Sequence, residues 1–153
     1  MILIYLHIFT MFVAVALSFG SVLMLHRVAA TGNVAAIRTL FGAATPIARL
    51  IPMIFGVGML LGIVAAIEMG FNLLAPWLLI AYGLSIASSI IGGAVTGRWA
   101  ANVGKAAAMA QGESASPELQ QLLNDNRATR ALWINLAVIA LVVLDMVIKP
   151  FGG

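Results

Sequence analysis

Four long runs of apolar residues, each almost free of charge, constrain this chain more than any other feature of its sequence. The runs cover residues 2–25, 50–67, 76–97 and 131–148, and only Asp145 places a charge inside one of them. A bilayer core about 30 Å thick needs roughly 20 apolar residues in a helix, because backbone polar groups in lipid must find their partners within the chain. The sequence therefore predicts a single all-α domain over residues 1–153, a polytopic membrane protein built as a bundle of four transmembrane helices.

The composition agrees with lipid as the main surrounding of the chain. Only 8% of the residues are charged, whereas a soluble domain carries about 25%. Basic residues outnumber acidic ones by 8 to 5, but they are scattered along the chain, so no nucleic-acid partner is expected. Because the chain has no cysteine, disulfides, thiolate nucleophiles and cysteine-ligated metal centres are excluded.

The distribution of arginine and lysine predicts the orientation of the bundle. The second connection, 69–75, holds no basic residue, and the C-terminal tail holds only Lys149. The first and third connections hold seven: Arg27, Arg38, Arg49, Arg98, Lys105, Arg127 and Arg130. Since basic residues concentrate on the cytoplasmic side, we expect both termini to face out. The alanine-rich stretch 100–111 predicts that helices extend into the cytoplasm, and Ser116 followed by Pro117 is typical of a helix start.

Small residues recur at four-residue spacing in two of the runs, a pattern that lets helix backbones approach closely. Gly58 and Gly62 form one pair in the second run, and Gly93 and Gly97 form another in the third. The third run also carries a stripe of small and polar residues, namely Ser85, Ser89, Gly92 and Thr96. We expect these stripes to pack inside one bundle, with contacts between two copies of the chain as the alternative.

The only two histidines of the chain are His7, inside the first run, and His26, directly after its end. Nineteen residues at 1.5 Å per residue place them about 28 Å apart, near opposite membrane surfaces. They therefore cannot ligate the same metal or haem iron within one chain. His26 adjoins Arg27 at the water boundary and is interpreted as an interfacial residue.

His7 is predicted to share its depth in the membrane with several residues that bear sulfur or charge. Met11 follows it by one helical turn, and the others come from the ends of the second and fourth runs: Glu68, Met69, Asp145, Met146 and Lys149. Ionisable side chains inside spans usually face the bundle and find partners. We therefore expect His7 to point towards the fourth span, with Asp145 within direct or water-bridged hydrogen-bonding reach. The alternative is that Asp145 pairs with Lys149, four residues further along.

Three chemistries fit this group of residues. An axial imidazole for haem iron could come from His7. Copper(I) prefers soft thioether and imidazole ligands, which His7, Met11, Met69 and Met146 offer. A proton relay would use His7 with Asp145 or Glu68. The residues alone leave all three open.

The order of motifs along nearly the whole chain resembles a bacterial family of four-helix membrane proteins. The resemblance is carried by YLHIFTMFVAVALSFGSVLMLHRVA, IARLIPMIFGVGMLLGIVAAI, the stretch from PWLLIAYG to AAAMAQGE, and a last span that ends in DMVIKP. These features are similar to copper resistance protein D and to the haem-linked protoporphyrinogen oxidase, and most similar to an integral membrane branch of that group. The resemblance implies haem on His7. The oxidase carries a histidine and a lysine at the start of its third helix, and WLLIAY (77–82) has neither.

These observations leave three functions open. The first is a haem- or copper-linked role at an outer-leaflet site around His7, with haem b or copper as the cofactor. The second is a non-catalytic accessory subunit of a larger membrane complex or of a homo-oligomer, and transport of a small solute is a third alternative. In each case the expected location is the bacterial cytoplasmic (inner) membrane, with the lipid bilayer as the principal partner.

Overall fold

The computed structural model describes residues 1–110 and 114–150, and this part of the chain is helical without strands. Its helices are α1 (Ile2–Ala29), α2 (Val34–Glu68), α3 (Pro76–Ile90), α4 (Arg98–Met109), α5 (Pro117–Leu123) and α6 (Asn126–Ile148). A π-helical segment, Ile91–Gly97, joins α3 to α4 without a break. Within these described ranges, four helical stretches are long and apolar enough to cross a membrane, which confirms the predicted all-α architecture with four candidate spans.

Local capping explains where the helices begin and end. Gly32, with a φ of +66°, makes the turn that ends α1, and the Asn33 side chain then caps α2 by accepting from the N–H of Ala36. Gly70, with a φ of +72°, follows the end of α2. The predicted start of α5 is also confirmed, because the Ser116 hydroxyl accepts from the N–H of Leu119.

The main hydrophobic core lies beyond the membrane runs, where helices extend past the apolar segments. α2 begins sixteen residues before the predicted span at 50, and α4 continues the third span by a further twelve residues. We call the buried cluster at this end the extension core; its residues are Leu25, Ala29, Val34, Ile37, Phe41, Trp99, Val103, Ala106, Ala107, Leu119 and Ala128. The predicted helical extensions are therefore present, and they join α1, α2, α4, α5 and α6.

Within the apolar runs, the helices pair as two hairpins rather than as a uniform four-helix bundle. α1 packs mainly against α2, whereas α3 and the π-helical segment pack mainly against α6, and α1 touches α6 only slightly. We call the end formed by the start of α1, the end of α2, the start of α3 and the end of α6 the terminal end. Only 11% to 22% of each apolar span is buried inside the chain. The remaining apolar surface fits contact with lipid.

The two glycine pairs have different surroundings. Gly58 is buried, and Met11 and Thr10 of α1 lie against it, while the His7 ring lies against Gly62. This pair therefore forms the seam between α1 and α2, as the sequence predicts. Gly93 has open space around it, and Gly97 meets only the carbonyl of Gly92 in its own helix. The expectation that both pairs pack inside the bundle is wrong for the second pair.

Candidate functional site

His7 is held in the seam between α1 and α2, close to the terminal end. Its ring lies so close to α2 that a side chain at Gly62 would come within 2.7 Å of Cε1. Its Nδ1 lies 2.7 Å from the carbonyl oxygen of Gly58. The glycines therefore do two things for the histidine: Gly62 leaves room for the ring, and Gly58 brings a backbone acceptor within its reach.

This hydrogen bond assigns the proton on the imidazole. A carbonyl oxygen only accepts, so Nδ1 must carry the hydrogen and donate it to Gly58. In the neutral ring, Nε2 then presents a lone pair. Nε2 makes no hydrogen bond to any residue in 1–110 or 114–150, and the side chain is only half-buried. Histidines that ligate metals usually donate their other ring nitrogen to a carbonyl or carboxylate in this way.

Of the three methionines predicted to join His7, the structure places one beside it. The half-buried Met11 lies one turn along α1, and its sulfur would come within 2.6 Å of a side chain at Gly58. Met69 follows the last residue of α2 and is 51% exposed. Met146 packs on the second hairpin's side, against a small cluster around Trp77. No group of three or more histidine, cysteine, aspartate or glutamate residues is assembled for a metal among the described residues.

The predicted direct hydrogen bond between His7 and Asp145 is absent. The ring points into the protein as expected, but it faces α2, and its Nδ1 bonds to Gly58. Asp145 lies on α6, which packs against α3. Its side chain is only 7% exposed, and neither carboxylate oxygen has a hydrogen-bond partner among the described residues. The direct bond is missing because the spans pair as two hairpins, so the first and last helices have only a small contact. A water-bridged contact between the two side chains stays a prediction.

The alternative pairing of Asp145 with Lys149 is also absent. Lys149 ends α6 in a left-handed conformation, with a φ of 47°, so the two residues do not share a regular helical row. The lysine ammonium lies instead 4.5 Å from the centre of the Phe71 ring and 5.4 Å from that of Trp77. Glu68, the last residue of α2, is exposed.

A second buried polar region lies between α3 with its π-helical continuation and α6, and we call it the polar seam. Its buried polar residues are Ser85, Ser88, Thr96, Asn135 and Asp145. The Asn135 amide nitrogen lies 3.6 Å from the position that a side chain at Gly92 would take. The Oδ1 atom of Asn135 and the Nε1 atom of Trp77 are buried without a described partner. The predicted stripe includes Ser85, Gly92 and Thr96 of this region. It also includes Ser89, which is exposed, in place of the buried Ser88, and it does not include Asn135.

At the other end of α1, His26 has an aromatic partner. Its ring stacks on Trp99 at 4.2 Å between centroids and 13° between planes, and Trp99 donates from Nε1 to the carbonyl of Leu122 at 3.0 Å. His26 follows the 2–25 run, and burial against the extension core lowers its pKa from the ordinary 6.5. Its Nε2 is buried without a described partner. The sequence interpretation of a plain interfacial residue did not include this stack.

No family model, curated protein or solved structure matches the chain. The fold defines the class of the protein, a multi-pass helical protein suited to a membrane. The site adds a histidine that is oriented by a hydrogen bond in the seam of the first hairpin. The likeness to copper resistance protein D and to the haem-linked protoporphyrinogen oxidase stays a prediction from the sequence motifs.

Proposed function

We propose that this protein is a multi-pass protein of the bacterial cytoplasmic membrane in which His7 ligates haem iron, or alternatively copper(I), near the outer leaflet. The observation that carries the proposal is the hydrogen bond from His7 Nδ1 to the Gly58 carbonyl, which leaves the Nε2 lone pair for a ligand. The proposal also agrees with the sequence resemblance, which implies haem on the same histidine.

Haem is the first choice because it can be held through one axial imidazole in an apolar crevice. His7 would supply that ligand, and the bond to Gly58 would fix the rotation of its ring. Bound haem supplies one-electron redox chemistry. The contribution of the chain would be to orient Nε2 and to exclude water with the apolar side chains of α1 and α2.

Copper(I) is the second choice, and the position of Met11 favours it. Met11 and His7 both lie against the Gly58–Gly62 face of α2, so an imidazole and a thioether are presented from adjacent turns of α1. These are the soft and borderline ligands that copper(I) prefers. Met69 and Met146 complete the proposed ligand set only if the terminal end rearranges.

The visible spectrum and the metal content of the purified protein test the proposal. The protein is produced with ample haem and copper supply and extracted in a mild detergent. A Soret band, or copper in stoichiometric amount, is expected for the unaltered chain and should be lost in His7→Ala. His26→Phe is the matched control, because it removes the only other imidazole and keeps an aromatic ring on Trp99. A colourless, metal-free protein, or a signal that survives His7→Ala with native helicity, would overturn the proposal.

The proposed orientation, with both termini outside, is tested separately by cysteine labelling. The chain has no cysteine, so a single introduced thiol has no background. Leu74, 72% exposed in the connection before α3, and Asn102, exposed on α4, lie towards opposite ends of the third helical stretch. In intact cells a membrane-impermeant maleimide should label Leu74→Cys, and it should label Asn102→Cys only after permeabilisation. The reverse pattern would invert the orientation.

An accessory role in a larger membrane complex or a homo-oligomer is the second candidate function. It is favoured by the low burial of the spans and by the open surface around Gly93, which leave wide apolar faces for other helices. A colourless preparation that co-purifies with larger partners, or runs as an oligomer, would support this role.

A further inference from the structure

A groove opens between the last turns of α1 and the first half of α6, at the end of the molecule opposite His7. We call it the Arg27 groove. Its volume is about 290 Å³, and its lining includes Leu23, His26, Arg27, Thr129, Leu132 and Trp133. It belongs neither to the His7 site nor to the polar seam.

The lining divides into a polar part and an apolar part. Arg27 and Thr129 bring a guanidinium and a hydroxyl, and none of the described residues that line the groove is acidic. Leu23 and Leu132 bring branched apolar side chains from the facing helices. A site of this composition suits a ligand that has an anionic head joined to a hydrocarbon tail.

The groove has a rigid wall, and that wall carries an unused polar atom. The stack on Trp99 fixes the ring of His26, and Trp99 is itself anchored by its bond to Leu122. Nε2 of His26 has no partner among the described residues, although the ring lines the groove. Because this nitrogen is buried, the exposed Arg27 and Thr129 are the polar groups that a ligand in the groove can reach.

The position of the groove along the helices identifies the ligand. Leu23 belongs to the apolar run 2–25 and Arg27 follows it, while Thr129 precedes the run 131–148 and Trp133 lies within its first turn. The polar part therefore lies at the level of lipid headgroups, and the apolar part lies at the start of the hydrocarbon. Trp133 is 58% exposed, as expected for a tryptophan at a membrane interface.

We propose that the Arg27 groove binds an anionic phospholipid. The headgroup phosphate accepts hydrogen bonds from the Arg27 guanidinium and the Thr129 hydroxyl, and an acyl chain runs along Leu23 and Leu132. Charge-assisted contacts between arginine and phosphate are strong, and basic pockets between spans suit such headgroups. This inference does not depend on the function of His7.

Native mass spectrometry of the delipidated full chain tests the site, with phosphatidylglycerol and phosphatidylcholine titrated separately. One basic residue near a membrane surface contributes about 1 kcal/mol to binding of anionic lipid, which corresponds to about a fivefold change in affinity. We therefore expect Arg27→Gln to weaken the first phosphatidylglycerol by about fivefold. Arg98→Gln is the matched control, because Arg98 is an exposed arginine of α4 outside the groove. Arg98→Gln should bind the first phosphatidylglycerol with the same affinity as the unaltered chain.

Two further variants keep the test valid if Arg27→Gln does not fold. Thr129→Val removes only the hydroxyl, so it should weaken phosphatidylglycerol and leave phosphatidylcholine unchanged. His26→Phe keeps the stack on Trp99 and leaves Arg27 and Thr129 in place, so it should keep the preference for phosphatidylglycerol over phosphatidylcholine. Equal affinity for the two lipids would overturn the proposal, as would equal losses in Arg27→Gln and Arg98→Gln, which indicate diffuse surface charge. Full competition by soluble glycerol phosphate would mean that the groove is a site for small anions instead of a lipid.

Discussion

Replacing Gly62 with alanine tests whether the His7 ring is held between the first two helices. A Cβ atom at this position would lie 2.7 Å from Cε1 and 2.8 Å from Nδ1 of the ring, which is closer than carbon and nitrogen atoms approach in folded proteins. The ring must move away, and Nδ1 moves with it. Since Nδ1 donates to the Gly58 carbonyl over 2.7 Å, the substitution should break that hydrogen bond.

Three contributions set the size of the effect. Loss of the hydrogen bond costs about 0.5–1.5 kcal/mol, and crowding in a packed seam costs about 1–3 kcal/mol. Exchange of glycine for alanine inside a helix returns about 0.5–1 kcal/mol. We therefore expect Gly62→Ala to lower the free energy of unfolding by about 2 kcal/mol. Unfolding followed by circular dichroism in mixed micelles, with increasing denaturing detergent, measures this change.

Two other glycines of α2 serve as controls. Gly56 has open space around it, so Gly56→Ala should stabilise the protein by about 0.5–1 kcal/mol. At Gly58 the nearest atom is the sulfur of Met11, at 2.6 Å from the added Cβ. A thioether rotates away more easily than a hydrogen-bonded ring does. Gly58→Ala should therefore cost less than Gly62→Ala.

The decisive comparison combines Gly62→Ala with His7→Ala. Without the imidazole, the added methyl group has no ring to displace, so Gly62→Ala should now raise the free energy of unfolding. A double-mutant cycle measures this coupling directly. If Gly62→Ala costs the same with and without the ring, the reasoning about His7 is refuted.

Three further predictions concern other parts of the chain. The exposed Arg38 donates hydrogen bonds to two carbonyl oxygens at the end of α4, at 3.0 and 2.8 Å. Arg38→Gln should therefore lower the free energy of unfolding by about 1–2 kcal/mol. Arg49→Gln is the control, because Arg49 is exposed and has no described bond, so thermal unfolding should change little. Asp145→Leu should raise the free energy of unfolding by about 1–3 kcal/mol, because it removes a buried carboxylate that has no described partner; a loss would indicate a partner that the carboxylate needs. Burial lowers the pKa of His26, so the unfolded chain binds the proton more readily than the folded chain does. The free energy of unfolding should therefore fall as the pH drops below about 6.5. His26→Phe should flatten this part of the stability–pH curve, and an unchanged curve would contradict the prediction.

The sequence predicts the helices well because lipid imposes a strong rule on composition. The apolar runs correspond to α1, α2, α3 with its π-helical continuation, and α6, and the cap at Ser116 is found where it was expected. The π-helical geometry over Ile91–Gly97 could not be predicted, because glycine and threonine in an apolar run are equally compatible with an α-helix. Length and hydropathy determine that a helix crosses the bilayer, but they carry little information about its neighbours.

Side-chain partners were predicted less well for that reason. His7 was correctly placed on the inward face of α1, since Phe9 and Phe12 on other faces are more than half exposed. Its direct hydrogen-bond partner is on α2 instead of α6, because equal depth in a membrane does not imply contact when four helices can pair in different orders. The glycine pair in α2 is the sequence feature that points to the correct partner helix: Gly58 and Gly62 leave room on α2 for the side chains of α1, and the His7 ring lies against Gly62.

The pairing of the spans also separates the two buried polar sites from each other. His7 lies in the α1–α2 seam and takes its partner from Gly58, whereas Asp145 lies in the α3–α6 seam, and the hairpins meet chiefly through the extension core at the opposite end. Residues that share no partner usually contribute to stability additively. The effects of His7→Ala and Asp145→Leu should therefore add in the double variant, and Asp145→Leu should leave any haem or copper signal of His7 intact. A strong coupling between them would mean that the two hairpins close on each other at the terminal end, and that Asp145 belongs to the site of His7 after all.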